Sequence, residues 1–439
     1  MPSRSTLAAL VALAVMVAAI SPARVSAQDG ETPATELRVT MARLLAEHAL
    51  LSIELVRSAI AETPDFDAAA ADLERNTSEI VAAIEGVFGP EAGAAFAEQW
   101  RNHIGYLFDY ARARAGGDAD AAELASRQLD RYVADFSALL ADALPVLPRD
   151  TVTGLVDVHV EQLEHVAAFD EGDFGQAYPA IRDTYRHMFD IGDGLVIGIV
   201  NAFPDRFPGR DHAFSPATDL RVSLDRLLGE HTHLAALAMR ATFNDAADAA
   251  DAADALAANS TELTGLIADI YGDAAGTAFE TLWDDHIDWY LAYVEALADD
   301  DEAAAARALA GLNDYRRAFR AFVTSANPLV AEAALAELVR SHSTHLVRQT
   351  DAYVAGDFEA AHELAREAYA HAGELSASLA AAIGDQFPQR FPDAAMTERV
   401  APWPVAVASG LLLLLAAGAI GVAIARRRRA AGLDASVSE

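Results

Sequence analysis

The chain has 439 residues and carries 66 acidic against 32 basic side chains. The resulting formal charge of -34 excludes nucleic-acid binding through a general basic surface. Cysteine is absent, which excludes disulfides, thiolate metal sites and a cysteine nucleophile. The length by itself predicts about three domains.

The N-terminus has the pattern of a secretory signal peptide. Arg4 precedes an apolar run from Leu7 to Ile20, and small residues lead up to Ala27. This pattern predicts a signal peptide over residues 1–27, with an uncleaved anchor as the alternative. A polar spacer over residues 28–35 follows.

A segment of about 170 residues then occurs twice, which refines the domain count to two. The stretch LRVTMARLLAEH starting at Leu37 matches LRVSLDRLLGEH starting at Leu220, a shift of 183 residues that becomes 184 after one insertion. We therefore predict repeat 1 over residues 36–208, a linker over 209–217 and repeat 2 over 218–392.

Each repeat is predicted to consist of six helices. Apolar residues recur at spacings of three and four, the helical period, and proline or glycine interrupts the pattern at regular intervals. No alternating strand pattern of useful length occurs. The predicted fold class is all-α, with two tandem six-helix up-and-down bundles and one C-terminal transmembrane helix. In repeat 1 the helices are expected at about residues 36–62, 67–87, 91–114, 119–144, 149–170 and 174–202.

The C-terminal segment predicts a membrane anchor. Residues 405–425 form a stretch of 21 residues without a charge, long enough to cross a bilayer as one helix. Four arginines follow, Arg426 to Arg429, and clustered arginine marks the cytoplasmic side. We therefore predict a juxtamembrane linker over 393–404, a transmembrane helix over 405–425 and a cytoplasmic tail over 426–439. The protein is expected in the cell membrane, with the N-terminus and both repeats outside and the lipid bilayer as a partner.

Six polar positions recur in both repeats, each near the middle of a predicted helix. Mid-helix residues of an up-and-down bundle lie at a common height, so these side chains are predicted to form one polar layer in each repeat. Glu79 and Glu262 lie one turn beyond the recurring asparagines and are placed to join it. The layer comprises His48, Asn76, His103, Tyr132, His159 and His187 in repeat 1, and His231, Asn259, His286, Tyr315, His342 and His371 in repeat 2.

Three interpretations of this layer are open. A ring of His, Asn and Tyr side chains can satisfy its own hydrogen bonds and fix the helix register. Neutral imidazoles that converge on a point also bind zinc, copper or iron, so the eight histidines are candidate metal ligands. A layer that protonates near pH 6 would instead respond to pH. Histidines without a histidine counterpart in the other repeat are predicted to lie on the surface; these are His165, His233, His345 and His362.

Enzyme motifs do not accompany these histidines. The chain lacks His-Glu-x-x-His, Gly-x-Ser-x-Gly, Walker and Gly-x-Gly-x-x-Gly sequences, and no Glu-x-x-His pair suits a ferritin-like di-iron site. This favours a non-enzymatic binding or structural ectodomain with an extracellular ligand or protein partner. The alternative is a metal-binding or redox protein that uses the histidine layer.

Short motifs in the two repeats resemble a family of secreted or cell-surface bacterial tandem helical-bundle proteins from Bacillus-type and actinobacterial genomes. The motifs are LLAEH ending at His48, the pair Arg75-Asn76, the turn Gly172-Asp173 and the closing QFP-x-x-F of residues 386–391. The chain departs from the pattern at Ala258, which matches Arg75, and in repeat 1, where the closing motif begins AFP. The resemblance implies a helical secreted unit, and it carries no established activity or cofactor.

Overall fold

The computed structural model describes residues 32–166, 169 and 172–393. The predicted signal peptide, transmembrane helix and cytoplasmic tail lie outside these residues. Among the helices that are described, none combines the length and the apolar character needed to cross a membrane.

The described residues form twelve α-helices and no strand, which confirms the all-α prediction. A short 3-10 helix, Arg210–Phe214, lies in the connection between the two repeats. Repeat 1 contains α1 (Pro33–Ile60), α2 (Phe66–Phe88), α3 (Pro90–Ala115), α4 (Ala119–Ala143), α5 (Arg149–Val166) and α6 (Phe174–Ala202). Repeat 2 contains α7 (Pro216–Phe243), α8 (Ala249–Tyr271), α9 (Asp273–Ala298), α10 (Glu302–Ala326), α11 (Glu332–Val354) and α12 (Phe358–Gln386).

Local sequence signals explain where corresponding helices begin and end. Thr32 and Ser215 cap α1 and α7, and each side-chain oxygen accepts a hydrogen bond from the backbone N–H three residues later. A proline follows each cap at the first helical position, where its missing N–H costs nothing. Gly89 and Gly272 break α2 from α3 and α8 from α9 with φ of 90° and 92°, a conformation that favours glycine.

Within each repeat the helices form a closed ring. Consecutive helices pack together, and the ring closes where α6 packs on α1 and where α12 packs on α7. Alternate helices also meet across the ring, because α3 contacts both α1 and α5, and α9 contacts both α7 and α11. Side chains near the middle of these alternate helices can therefore converge at the centre of each ring.

The two repeats pack against each other in a nearly symmetric way. Helix α1 contacts α7, and the contact of α2 with α12 corresponds to that of α8 with α6. The largest apolar cluster contains residues of both repeats, including Ile53 of α1 and Leu237 of α7, which are each 0% exposed. Helices α1 and α7 are consequently covered both by their own ring and by the other repeat.

Candidate metal centres

Three of the predicted histidines in repeat 1 come together at the centre of the ring. His48 on α1, His103 on α3 and His159 on α5 each place a ring nitrogen within 4.8 Å of the others. All three side chains are buried. The Nε2 atoms of His48 and His103 are 3.1 Å apart and form a hydrogen bond with each other. Two ligands of a tetrahedral zinc ion at 2.0–2.1 Å lie about 3.3 Å apart, so this spacing suits a shared ion with only small adjustment.

Repeat 2 reproduces this arrangement from the matching helices. His231 on α7, His286 on α9 and His342 on α11 again place ring nitrogens within 4.8 Å of one another. The Nε2 atoms of His231 and His286 are 3.4 Å apart. The two groups, hereafter triad 1 and triad 2, therefore have the same ligand type from the same three positions of the ring.

Aromatic side chains pack against each triad. The ring of Trp100 lies 4.5 Å from that of His48 and 4.8 Å from that of His103. Tyr132 stacks on His103 with ring centroids 4.7 Å apart and an interplanar angle of 18°. The tyrosine of the predicted layer is thus a stacking partner of a triad histidine. The same contacts recur in repeat 2 between Trp283, Tyr315, His231 and His286.

Burial keeps the triad imidazoles neutral. It lowers the pKa of both His103 and His286 to about 3, and that of His342 to about 4. For the other three members burial is again the largest cause, neighbouring imidazoles add to it, and the pKa lies well below the usual value; these are His48, His159 and His231. A neutral imidazole has an unprotonated nitrogen available, so metal binding at pH 7 would require little proton release from these residues.

Several triad nitrogens have no hydrogen-bond partner among the described residues. They include Nδ1 of His48, both ring nitrogens of His159, Nδ1 of His231 and Nε2 of His342. Buried polar atoms are nearly always paired, with bound water or an ion as a common explanation for exceptions. The described side chains therefore do not form a layer that satisfies its own hydrogen bonds.

One triad nitrogen is oriented by the backbone. Nδ1 of His286 donates to the carbonyl oxygen of Trp283 within the same helix. A neutral imidazole has one N–H, so this bond leaves Nε2 of His286 as the unprotonated nitrogen, and Nε2 is the atom that approaches His231. Metal-binding histidines commonly donate their second nitrogen to a carbonyl in this way.

The fourth predicted histidine of each repeat is held away from its triad. Nε2 of His187 donates to the carbonyl oxygen of Leu155, and Nε2 of His371 donates to that of Leu338, each at 2.8 Å. Each of these side chains thus bridges the last two helices of its ring. Neither His187 nor His371 belongs to the groups of histidines that converge.

The predicted asparagines belong to a different structure, the contact between the repeats. Nδ2 of Asn76 donates to Glu47 at 2.9 Å, and Nδ2 of Asn259 donates to Glu230 at 2.7 Å. Each glutamate is paired in turn with an arginine of the other repeat. The sequence pattern located both asparagines in helix centres but did not indicate that they face away from the histidines.

The two arginines that cross between the repeats, Arg182 and Arg366, occupy matching positions on α6 and α12. Arg182 pairs with Glu230 at 3.0 Å and with Glu262 at 2.7 Å. Arg366 pairs with Glu47 at 3.0 Å and with Glu79 at 2.8 Å. Glu79 and Glu262, which the sequence placed near the polar layer, therefore lie in this contact instead.

The surface prediction is wrong for His362, whose side chain is 3% exposed. Its Nε2 lies 3.3 Å from Asp65 and its Nδ1 lies 3.3 Å from Asp72, both in repeat 1. Burial is the largest influence on the pKa of His362 and lowers it, as Arg240 does, but the two carboxylates raise it above the usual value overall. His233 is also largely covered, with its side chain 11% exposed. Both residues contact carboxylates of repeat 1, so the packing of the repeats contributes to their burial.

A small cavity lies beside triad 2. It has a volume of about 20 Å³ and is lined by His231, His342 and His371 together with apolar side chains. One water molecule needs roughly 10–15 Å³ of such volume. Triad 2 therefore has room for one additional small ligand next to its nitrogens.

Comparison with known proteins returns no relative. No protein-family model matches the chain, and no curated protein or solved structure is significantly similar to it.

Proposed function

We propose that the protein binds metal, with one divalent transition-metal ion held by three histidines in each repeat. Triad 1 would supply His48, His103 and His159, and triad 2 the matching residues of repeat 2. The observation that carries the proposal is the convergence of three buried, neutral imidazoles in each repeat, with ring nitrogens within 4.8 Å of one another. Two six-helix bundles in tandem would then be two copies of one metal-binding unit.

Zinc is the first candidate for the ion. Imidazole nitrogen suits zinc, copper, iron and nickel, and three histidines with an open fourth position are a known ligand set for zinc. The spacing of 3.1–3.4 Å between Nε2 atoms agrees with a tetrahedral ion. Copper and iron remain the alternatives, and a metal at an open position would bind water or another small ligand.

We propose further that these centres are displayed outside the cell. The proposal rests on the signal-peptide pattern of residues 1–27 and on the uncharged stretch 405–425 followed by four arginines. Protease treatment of intact cells should degrade the repeats and spare an epitope tag placed after residue 439. Protection of the repeats in intact cells would contradict this orientation.

The full-length protein in detergent is expected to retain two zinc ions per chain after dialysis against zinc and then against metal-free buffer. The variant His103→Leu should retain one, and His103→Leu/His286→Leu should retain none, because each loses a ligand from the centre of a triad. Metal content by mass spectrometry measures this directly. Replacing zinc by cobalt should also give the visible absorption of a tetrahedral ion.

The matched control is His187→Leu, which removes a recurring histidine that lies outside the triads and should leave two zinc ions in place. Metal below about 0.1 ion per repeat in the unmodified protein would contradict metal binding, as would loss of metal in the control alone.

A structural role for the triads is the competing function, and the stacking of Tyr132 on His103 is the observation that favours it. In that case His103→Leu would fold with equal or greater stability, since a buried polar group is replaced by an apolar one. The unmodified protein would then also be metal-free. Chemical denaturation and metal analysis of the same two samples distinguish the two functions.

A further inference from the structure

Repeat 2 contains a second and larger cavity, with a volume of about 50 Å³. Its lining is almost wholly apolar and includes Leu224, Leu263, Phe279, Phe322 and Val330. The helices that contribute to it are α7, α8, α9, α10 and α12. The cavity is thus lined by side chains of five helices, some of which, such as Phe322 and Val323, are partly exposed.

Two of the three polar side chains that line this cavity, Asn327 and Tyr271, have hydrogen-bond partners. Asn327 donates from Nδ2 to the carbonyl oxygen of Ala382 at 2.8 Å and accepts at Oδ1 from the N–H of Leu329 at 2.9 Å. The hydroxyl of Tyr271 donates to Gln386 at 3.0 Å. Of the lining side chains only that of Trp283 has a buried polar atom without a partner, its Nε1. One donor gives a water molecule fewer than the two to four partners that it needs, so water is held only weakly there.

The apolar cavity adjoins triad 2. It shares four lining residues with the smaller cavity that contains His231 and His342; they are Leu228, Trp283, Phe319 and Leu375. A molecule in the apolar cavity would therefore lie one side-chain layer from the histidine nitrogens of repeat 2.

Substitutions between the repeats explain why this space is open in repeat 2. Three lining residues are smaller or less apolar than their matches in repeat 1, where Leu140, Leu144 and Leu147 correspond to Val323, Asn327 and Val330. In repeat 1 the side chains of Leu144 and Leu147 approach so closely that a Cβ atom on Gly198 would lie within 3.0 Å of them. Three changes act in the opposite direction and only partly refill the space; they are Leu139 to Phe322, Phe88 to Tyr271 and Gly198 to Ala382.

The size of the cavity limits what it can hold. A dry cavity of about 150 Å³ in another protein accommodates benzene or xenon. A third of that volume suits a single large atom or a diatomic molecule. Such a molecule gains dispersion contacts with side chains that otherwise face empty space.

We propose that the apolar cavity of repeat 2 binds a small apolar gas of the dioxygen class and holds it beside triad 2. Occupancy of the cavity does not depend on metal, whereas its use as a store for a metal-bound ligand rests on the proposed function. The two repeats would then differ in role, because only the centre of repeat 2 is supplied from this cavity.

Xenon is the probe for occupancy, used with the full-length, metal-free protein in detergent. Xenon NMR should show one saturable site per chain, and Val323→Leu/Val330→Leu should abolish it by introducing the leucines of repeat 1. The single variant Val330→Leu should weaken binding at least severalfold and serves if the double variant does not fold. Leu329→Ala is the matched control, since Leu329 is 57% exposed and lies outside the lining. No saturable site, or full binding in folded Val330→Leu, would overturn the proposal.

Cobalt-loaded variants test the link to the metal. His103→Leu keeps only the centre of repeat 2, and xenon should change its visible spectrum; His286→Leu keeps only the centre of repeat 1, and its spectrum should not change. Equal responses in both variants, or none in either, would contradict delivery to triad 2. A protein that binds xenon but no metal would disprove the proposed function and leave the cavity site intact. A protein that binds metal but no xenon would disprove the cavity site and leave the proposed function intact.

Discussion

The metal-free protein is expected to unfold as the pH falls from 6.5 towards 5. The six triad histidines are neutral in the folded protein, because burial lowers each pKa far below 6.5. In the unfolded chain each takes up a proton near pH 6.5. The unfolded state therefore binds more protons below this pH, and the free energy of unfolding decreases as the pH falls.

The size of this effect rivals the whole stability of an ordinary protein. At pH 5 each triad histidine lowers the free energy of unfolding by about 2 kcal/mol, so six together lower it by roughly 12 kcal/mol. Typical domains are stable by about 5–15 kcal/mol. His362 acts in the opposite sense, because its raised pKa gives stability that is present below pH 6.5 and is lost as the pH rises through the folded pKa. One such residue offsets only a small part of the loss.

Circular dichroism during acid titration measures the transition. Zinc should move the midpoint to lower pH, since a ligand at 1,000 times its dissociation constant adds about 4 kcal/mol. The variant His103→Leu/His286→Leu, with two fewer buried imidazoles, should unfold over a wider pH range and at lower pH. A metal-free protein that stays folded to pH 4 would contradict neutral burial of the triads.

The sequence predicted the helices and the histidines that converge for simple physical reasons. Proline and glycine mark helix ends whatever the tertiary structure, so predicted and observed ends of α2, α3 and α4 agree within a residue or two. The common height of mid-helix residues correctly placed His48, His103 and His159 together. Height alone did not distinguish them from His187, because convergence also requires that the helices face the centre of the ring. That rotation is set by packing, and in each repeat the histidines of the first, third and fifth helices meet.

The contact between repeats was the part that the sequence did not reveal. Apolar residues at spacings of three and four predict that one face of a helix is buried. In α1, however, every residue from Leu45 to Val56 is buried. The second buried face is covered by the other repeat, which no analysis of a single repeat includes. Glu47 and Glu54 are therefore buried, which the helical period alone does not indicate. Tyr178 of repeat 1 occupies the position that His362 occupies in repeat 2. Each hydrogen-bonds to an aspartate of the other repeat, Asp248 and Asp65 respectively, and these aspartates also occupy matching positions. A polar side chain at this position in both repeats was therefore the available signal of the contact.

Replacing Arg182 by leucine is expected to lower the free energy of unfolding by about 3–5 kcal/mol. The side chains of Arg182 and Glu230 are 9% and 1% exposed, and their two hydrogen bonds measure 3.0 and 3.1 Å. Burial alone would lower the pKa of Arg182, yet the carboxylates of Glu230 and Glu262 raise it, which indicates that these contacts compensate for desolvation. Removing the guanidinium leaves the carboxylate of Glu230 buried without its counter-charge, and that uncompensated charge is the source of the loss.

The double variant Arg182→Leu/Glu230→Gln should recover most of this stability. Glutamine removes the buried negative charge but keeps an oxygen that can accept from Asn259, so only the modest net contribution of the pair is lost. Urea denaturation of both variants measures the coupling energy between Arg182 and Glu230. Arg127→Ala is the control: it breaks an exposed pair with Glu123 and should change the free energy of unfolding by less than about 0.5 kcal/mol. If Arg182→Leu were as stable as the unmodified protein, the repeats would not enclose Glu230.

Because Arg366 and Glu47 occupy the matching positions, Arg366→Leu should produce a similar loss, somewhat smaller since Arg366 is 17% exposed. A loss in one variant only would show that the two halves of the contact are not equivalent in solution.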